Sequence, residues 1–139
     1  QIITSALKHC DYLFLNEIEA ELATGIKLHS KNIFSKKNAE KAIKKLLNLG
    51  VRKAIILHTP NWALWASAEG RLMWSKSLKI ERKKIKSTVG AGDAFAAASI
   101  FGIHEGWVPQ KILNKSHAAA RSILMTDQSS GNLPHINTL

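Results

Sequence analysis

Apolar residues cluster along the chain in short continuous runs that alternate with longer stretches of helical spacing. The short runs are typical of buried strands, and they occupy residues 11–16, 53–57, 63–66 and 72–75, with a shorter candidate at 76–80. Glu69-Gly70 separates the third run from the fourth and resembles a hairpin turn. The pattern therefore predicts strands of which two form an antiparallel pair.

The stretches with helical spacing predict four helices, at residues 17–24, 38–49, 94–103 and 109–125. Gly25 and Gly50 follow the first two helices at the position typical of a C-terminal cap. Strands separated by helices indicate an α/β fold with a mostly parallel sheet flanked by helices, and the hairpin adds antiparallel strands at one edge. No linker rich in Pro, Gly or Ser divides the 139 residues, so residues 1–139 are expected to belong to one domain.

The chain carries a formal net charge of +10, which favours anionic partners. Much of the excess lies in residues 27–45 and 79–86, and the simplest interpretation is that both stretches are solvated surface. Nucleic acid is not the expected partner, because the sequence has no recognised nucleic-acid motif and few aromatic residues for base stacking.

Cellular location is predicted from the cysteine count and from the length of the apolar runs. The single cysteine, Cys10, excludes a disulfide within the chain and favours a reducing, cytoplasmic setting. No apolar run reaches the length of a membrane span, so no membrane partner is expected. The first residue is Gln1 rather than Met, which predicts that the chain begins inside a longer protein.

The segment Gly90-Ala91-Gly92-Asp93 carries the most informative chemistry. Two glycines just before a helix allow backbone N–H groups to converge on one point, where they and the helix dipole form an anion site. Such a site suits phosphate charge, and a carboxylate beside it can take a proton from an attacking hydroxyl. The alternative is a tight turn in which Asp93 only caps the helix.

Residues 87–95, which read Ser-Thr-Val-Gly-Ala-Gly-Asp-Ala-Phe, closely resemble the second signature of the ribokinase-like (PfkB) carbohydrate kinases. The resemblance extends over residues 11–134 and corresponds to the C-terminal, nucleotide-binding half of a member. It implies a ribokinase-like layered fold, an anion hole lined by Gly90, Ala91 and Gly92, and Asp93 as the catalytic base that deprotonates the acceptor hydroxyl.

A second match is Asn16-Glu17-Ile18-Glu19, which fits the Asn-x-x-Glu motif of that family at the end of a strand. The resemblance implies that Asn16 and Glu19 hold a water-coordinated Mg²⁺ near the phosphates of ATP, with Glu19 as the metal residue, and oxygen groups of this kind suit that ion. The alternative is that Asn16 caps the following helix and the glutamates occupy its first turn.

A third match is His117, which begins a run of alanines similar to the late helix that packs near the adenine in the family. The resemblance makes His117 a candidate nucleotide contact, and a helix-face histidine without a ligand is the alternative. Members often carry Thr-x-Gly-x-x-Gly after the strand that ends here at Leu57, whereas this chain has His58-Thr59-Pro60-Asn61-Trp62. The nucleotide contact is therefore expected to shift to His58 or Thr59, and Trp62 is either a stacking face or partly buried.

Two further positions affect the expected cofactors. Ser87 stands where many members have an aspartate that helps to bind a monovalent cation, so activation by such a cation stays open. His104-Glu105 could suggest a metal site, but adjacent residues do not share a helix face, and a helix C-terminus with Gly106 as its cap is favoured.

The leading function is therefore that of an ATP-dependent, Mg²⁺-dependent kinase that phosphorylates a hydroxyl of a sugar or nucleoside. The alternative is a catalytically inactive nucleotide-binding or regulatory module of the same fold, which the altered loop at residues 58–62 motivates. The resemblance also implies that a homodimer, if formed, uses the part of the protein upstream of Gln1, where most sugar contacts would lie.

Overall fold

The computed structural model describes residues 2–126 together with His135 and Thr138, and it divides into two compact units, Gln1–Trp74 and Ser75–Leu139. The helices of the described residues are α1 (Ile2–Leu7), α2 (Glu17–Thr24), α3 (Lys36–Asn48), α4 (Ala91–His104) and α5 (Pro109–Leu124), with a 3-10 helix at Arg82–Lys84. The strands are β1 (Tyr12–Asn16), β2 (His29–Ser30), β3 (Ile33–Phe34), β4 (Ala54–His58), β5 (Trp62–Ser67) and β6 (Leu72–Lys76). Residues 129–132, whose Ser-Ser-Gly-Asn sequence predicts a loop, lie outside the described residues.

The main sheet has the strand order β1-β4-β5-β6. β1 and β4 run parallel, with Asn16 opposite His58 at their carboxyl ends, whereas β5 returns antiparallel to β4. The helices α2 and α3 pack against these two parallel strands. The predicted α/β layered fold, a mixed sheet flanked by helices with a hairpin at its edge, is confirmed.

One face of the sheet forms the core of the first unit. Leu15 of β1 and both Ile55 and Leu57 of β4 are buried with residues of α2 and α3, including Ala20 and Ile43. Side chains alternate along a strand, so Asn16 and His58 project toward the opposite face from these core residues. The core thus fixes the direction in which the carboxyl ends of β1 and β4 present their last side chains.

The second unit is built on the packing of α4 against α5. The hydroxyls of Ser99 and Ser116 lie 2.7 Å apart in the buried contact between the two helices. A Cβ atom on Gly102 would lie 2.9 Å from Ile112 Cγ1 and 3.0 Å from Trp107 Cε3, so only glycine fits at this close approach. Small residues on α4 therefore let the two helices lie close together, and α5 supports the helix that follows the glycine loop.

Most predicted elements are confirmed, and the main differences are one strand, one helix start and the elements that were not predicted. The predicted strand at 76–80 is wrong, because β6 ends at Lys76 and no strand follows it at residues 77–80. α4 begins at Ala91 rather than at residue 94, so the glycine loop already contains the first helical residues. The sequence analysis also missed α1 and the small antiparallel pair β2–β3.

None of the helices within residues 2–126 combines the length and hydropathy that crossing a bilayer requires.

Candidate functional site

The start of α4 is a helix N-terminus without a capping side chain. Gly90 is the N-cap residue at φ 83° and ψ −8°, a left-handed conformation that favours glycine, and it has no side chain to accept a hydrogen bond. The first helical bond is donated by the Ala94 N–H to the Gly90 carbonyl at 2.9 Å. Within the described residues, the N–H groups of Gly90, Ala91 and Gly92 donate no hydrogen bond to another protein group. These donors therefore remain available to an anion.

Asp93 lies in the first turn of α4, three residues after the N-cap, and is exposed. Its carboxylate accepts no hydrogen bond and forms no ion pair within the described part of the chain. The capping bond considered in the sequence analysis is thus not formed. The carboxylate and the N–H groups of the glycine loop stand on the same helical turn, so a proton acceptor and a set of anion-binding donors share one position.

Asn16 and Glu19 form a reciprocal pair of hydrogen bonds at the start of α2. The Glu19 N–H donates to Asn16 Oδ1 at 2.8 Å, and the Asn16 N–H donates to Glu19 Oε2 at 2.9 Å, which together make a capping box. Asn16 therefore does cap α2, as the alternative interpretation expects. Glu19 is exposed, and its second carboxylate oxygen accepts no hydrogen bond among the described residues.

The altered loop after β4 is closed by Thr59. Its hydroxyl accepts from the Trp62 N–H at 2.9 Å and from the Asn61 N–H at 3.3 Å, and it donates to the Trp62 carbonyl at 3.1 Å. The Thr59 N–H also donates to the Trp62 carbonyl at 2.8 Å. This turn needs no glycine, because the threonine side chain supplies the bonds that hold it. The hydroxyl of Thr59 is committed to the hairpin, while His58 lies opposite Asn16 in the β1–β4 register.

Trp62 is partly buried, and one face of its ring is covered. The Lys36 ammonium lies 3.5 Å from the centre of the Trp62 ring and 4.8 Å from that of Trp74. A cation over an indole face is stabilising, so Lys36 occupies one of the two faces on which a base could stack. The sequence analysis missed Lys36, because only the fold brings the start of α3 beside the β4–β5 turn.

His117 lies on α5 and is buried, at 6% exposure. Its ring packs edge-on against Phe95 of α4, with the ring centres 5.3 Å apart. This contact places His117 in the α4–α5 packing, and its role as a nucleotide contact stays a prediction.

The remaining candidates are Ser87 and the His104-Glu105 pair. The Ser87 hydroxyl accepts from the Val89 N–H at 3.2 Å and so shapes the entry to the glycine loop. α4 ends at His104, and Gly106 follows at φ 67°, which agrees with the predicted helix terminus. Within residues 2–126, 135 and 138, no group of three or more His, Cys, Asp or Glu side chains could hold a metal ion.

Comparisons with known proteins agree on the fold. The ribokinase of Arabidopsis thaliana, solved with ribose and ATP, is 22% identical with a TM-score of 0.80 and covers 91% of this chain and 38% of its own. The ribokinase of Thermotoga maritima is 24% identical with a TM-score of 0.77 over 96% of this chain and 42% of its own. Similarity at this level of identity shows a ribokinase-like fold.

Curated relatives from two Clostridium species are named 5-dehydro-2-deoxygluconokinase. That of Clostridium perfringens is 26% identical over 100 residues, covering 72% of this chain and 29% of the relative. That of Clostridium beijerinckii is 26% identical over 113 residues, covering 81% of this chain and 32% of the relative. The chain thus spans about a third of the length of these relatives. The model of the pfkB family of carbohydrate kinases matches residues 1–136, and the chain belongs to that family.

Proposed function

We propose that the chain is the nucleotide-binding part of an ATP-dependent phosphotransferase that phosphorylates a hydroxyl of a sugar or related small molecule. The observation that carries the proposal is the start of α4, where Gly90 leaves the helix without a side-chain cap and Asp93 stands on the same turn. Membership of the carbohydrate kinase family supports a kinase role.

In this proposal the loop and the carboxylate have separate tasks. The N–H groups of Gly90, Ala91 and Gly92 donate to the oxygens of the phosphoryl group, whose charge must be stabilised during transfer. Asp93 accepts the proton of the acceptor hydroxyl. The hydroxyl oxygen then bonds to the γ-phosphorus of ATP, and the bond from that phosphorus to ADP breaks. The phosphorylated product and ADP then leave, and Asp93 returns its proton to solvent.

Asn16 and Glu19 fit the proposed role in binding Mg²⁺, although both also cap α2. Mg²⁺ is usually held through one or two carboxylates while keeping several waters, and Glu19 retains one carboxylate oxygen beyond the capping bond. The ion would neutralise phosphate charge when ATP is bound. The capping box holds the carboxylate at the carboxyl end of β1, where ligands bind in open α/β sheets.

We assign the nucleotide contact after β4 to His58 rather than to Thr59. The Thr59 hydroxyl is used within its own turn, whereas His58 ends β4 opposite Asn16. His117 remains our candidate for the adenine side of the nucleotide. Activation by a monovalent cation stays open, because Ser87 replaces the usual aspartate and its hydroxyl bonds within the loop.

The substrate and the setting of the complete protein are also proposals. The acceptor class is a sugar, a sugar acid or a nucleoside. 5-Dehydro-2-deoxygluconate is the first compound to test, because it is the substrate named for the curated relatives. We further propose a cytoplasmic protein, from the single cysteine of this chain, and a homodimer formed by the part of the protein beyond this chain.

The decisive experiment replaces Asp93 by Asn in the complete protein. Loss of the base should lower kcat by about 10³-fold, within the range of general-base catalysis, while the Kd for ATP measured by calorimetry stays within about twofold of the original because the amide donors remain. Glu69→Gln, at the exposed hairpin turn, is the matched control and should keep full turnover. Turnover of the Asp93→Asn protein near the original rate would remove Asp93 from the mechanism.

A catalytically inactive nucleotide-binding module is the second candidate. The observation that favours it is the loop at residues 58–62, which has lost both glycines and is closed by Thr59. ATP binding without phosphate transfer to any member of a panel of sugars, sugar acids and nucleosides would favour the module. Transfer to one of them would exclude it.

A further inference from the structure

A groove runs along α3 and the turn between β5 and β6, on residues to which the proposed active site assigns no role. It has a volume of about 420 Å³, within the range of small-molecule sites. Lys37, Lys41 and Lys44 line it at spacings of four and three residues, so their side chains share one face of α3. Gly70 lies across from them in the hairpin turn.

The described residues neutralise the charge of the groove only in part. In the described part of the chain, Lys37, Lys41 and Lys44 form no ion pair with an acidic residue. Glu40 also lines the groove, but its Oε1 accepts a hydrogen bond from Trp74 Nε1 at 2.8 Å. Three lysines against one glutamate leave an excess of two positive charges.

The second basic stretch, residues 79–86, differs from the groove in that its lysines form ion pairs. Lys83 and Lys84 both bind the Glu81 carboxylate, at 3.1 Å and 3.3 Å, so their charge is partly balanced locally. Among the described residues, none of the three groove lysines forms an ion pair of this kind. Of the two basic stretches, the one on α3 is therefore the better placed to take an external anion.

The groove also offers apolar surface. Leu47 is half-buried beside the lysines, and Leu72 of β6 is 47% exposed on the other wall. Lysine stems add further apolar area while their ammonium groups stay in water. A ligand that fits must therefore carry negative charge at one end and an apolar body at the other.

We propose that this groove binds a small phosphomonoester with an apolar or aromatic body. A phosphomonoester carries about −1.5 to −2 charges at neutral pH, which matches the excess of two positive charges. The phosphate would lie among Lys37, Lys41 and Lys44, with the body against Leu47 and Leu72. The β5–β6 turn follows Ser67, which pairs with Ala54 at the amino end of β4, away from His58 at the carboxyl end. The groove is thus a second ligand site, apart from the proposed nucleotide contact.

Calorimetric titration of the complete protein with phenyl phosphate tests the proposal, with a non-hydrolysable ATP analogue present to saturate the nucleotide site. We expect binding that weakens at least tenfold when Lys37, Lys41 and Lys44 are all replaced by Gln. Replacement of Lys79, Lys83 and Lys84 by Gln removes the same charge elsewhere and should change the Kd by less than about twofold. Inorganic phosphate and phenol should each bind at least tenfold more weakly than phenyl phosphate, because each meets only half of the site.

Four results would overturn the proposal. These are no binding of phenyl phosphate, equal loss of affinity in both triple variants, tighter binding of an acidic peptide that displaces phenyl phosphate, or a fall in Tm confined to the groove variant. The last would mean that other parts of the protein cover the groove. The Asp93→Asn protein should bind phenyl phosphate normally, so failure of the groove and failure of the proposed kinase function give different results.

Discussion

The starts of α2 and α4 solve the same physical problem in opposite ways. Both helices begin with N–H groups that have no acceptor within the helix. At α2, Asn16 and Glu19 satisfy two of these groups through a capping box, whereas at α4 the N-cap is Gly90, which offers no side chain. The difference teaches that α4 is stable without a side-chain cap, and that the N–H donors at its N-terminus are available for a ligand.

Each start is then held in a way that suits its task. α2 is short, eight residues, and a cap contributes a large share of the stability of a short helix. α4 has fourteen residues and is held by its packing on α5, through the Ser99–Ser116 contact and the close approach at Gly102. The stability of α4 therefore comes from the middle of the helix, which leaves its first turn for chemistry.

Among the variants that test this comparison, Gly90→Ala should produce the largest effect, and it tests the open start. A Cβ atom at φ 83° costs about 1–2 kcal/mol of unfolding free energy, and displacement of the loop donors should lower kcat by about 10²-fold. Gly106→Ala at the other end of α4 is the control, because φ is 67° there and a Cβ would meet nothing within 4 Å. Urea unfolding and steady-state kinetics measure the two effects. Equal kcat in both variants would contradict an anion-binding role for the loop.

Replacing Asn16 tests the closed start, with a smaller effect on stability. Asn16→Ala should lower the free energy of unfolding by about 1 kcal/mol, because the Glu19 N–H loses its acceptor. Asn16→Ser keeps a capping oxygen and should unfold nearly like the original protein. If Asn16 also helps to bind Mg²⁺, the Ser variant should still raise the KM for Mg·ATP. An unchanged KM in the Ser variant would assign Asn16 to capping alone.

Replacing Thr59 by Val should have the smallest effect. The turn loses its side-chain bonds to Asn61 and Trp62, which contributes about 1 kcal/mol to the stability of the hairpin. The KM for ATP should stay the same, whereas His58→Gln should raise it by several-fold. The opposite pattern, with ATP affinity sensitive to Thr59 and insensitive to His58, would show that the assignment of the nucleotide contact is wrong.

The sequence predicts the elements of this fold well where local signals are strong. The predicted bounds of the helix after Asn16 match those of α2 at both ends. The cap residue, the carboxylate three positions later and Gly25 all indicate the same bounds. The turn at Lys31 and Asn32 was missed. Both residues have positive φ, and lysine is not a residue that signals such a turn.

The candidate site is predicted less completely, because its parts depend on contacts distant in the sequence. The motif at residues 90–93 is visible in the sequence, but the presence or absence of competing hydrogen bonds is not. The burial of His117 against Phe95 requires the packing of two helices. Lys36 reaches Trp62 only because α3 returns to the start of β5. Local motifs thus indicate the chemistry, while the tertiary structure decides which side chains are still available for it.

The central claim is that the backbone N–H groups of Gly90, Ala91 and Gly92 receive the phosphoryl group. The direct measurement is amide NMR of the complete protein as ADP and aluminium fluoride, a mimic of the transferring phosphoryl group, are added together with Mg²⁺. The amide resonances of residues 90–92 should shift in the original protein and in Asp93→Asn, because the donors are present in both. Binding of the mimic with these three resonances unmoved would contradict the account.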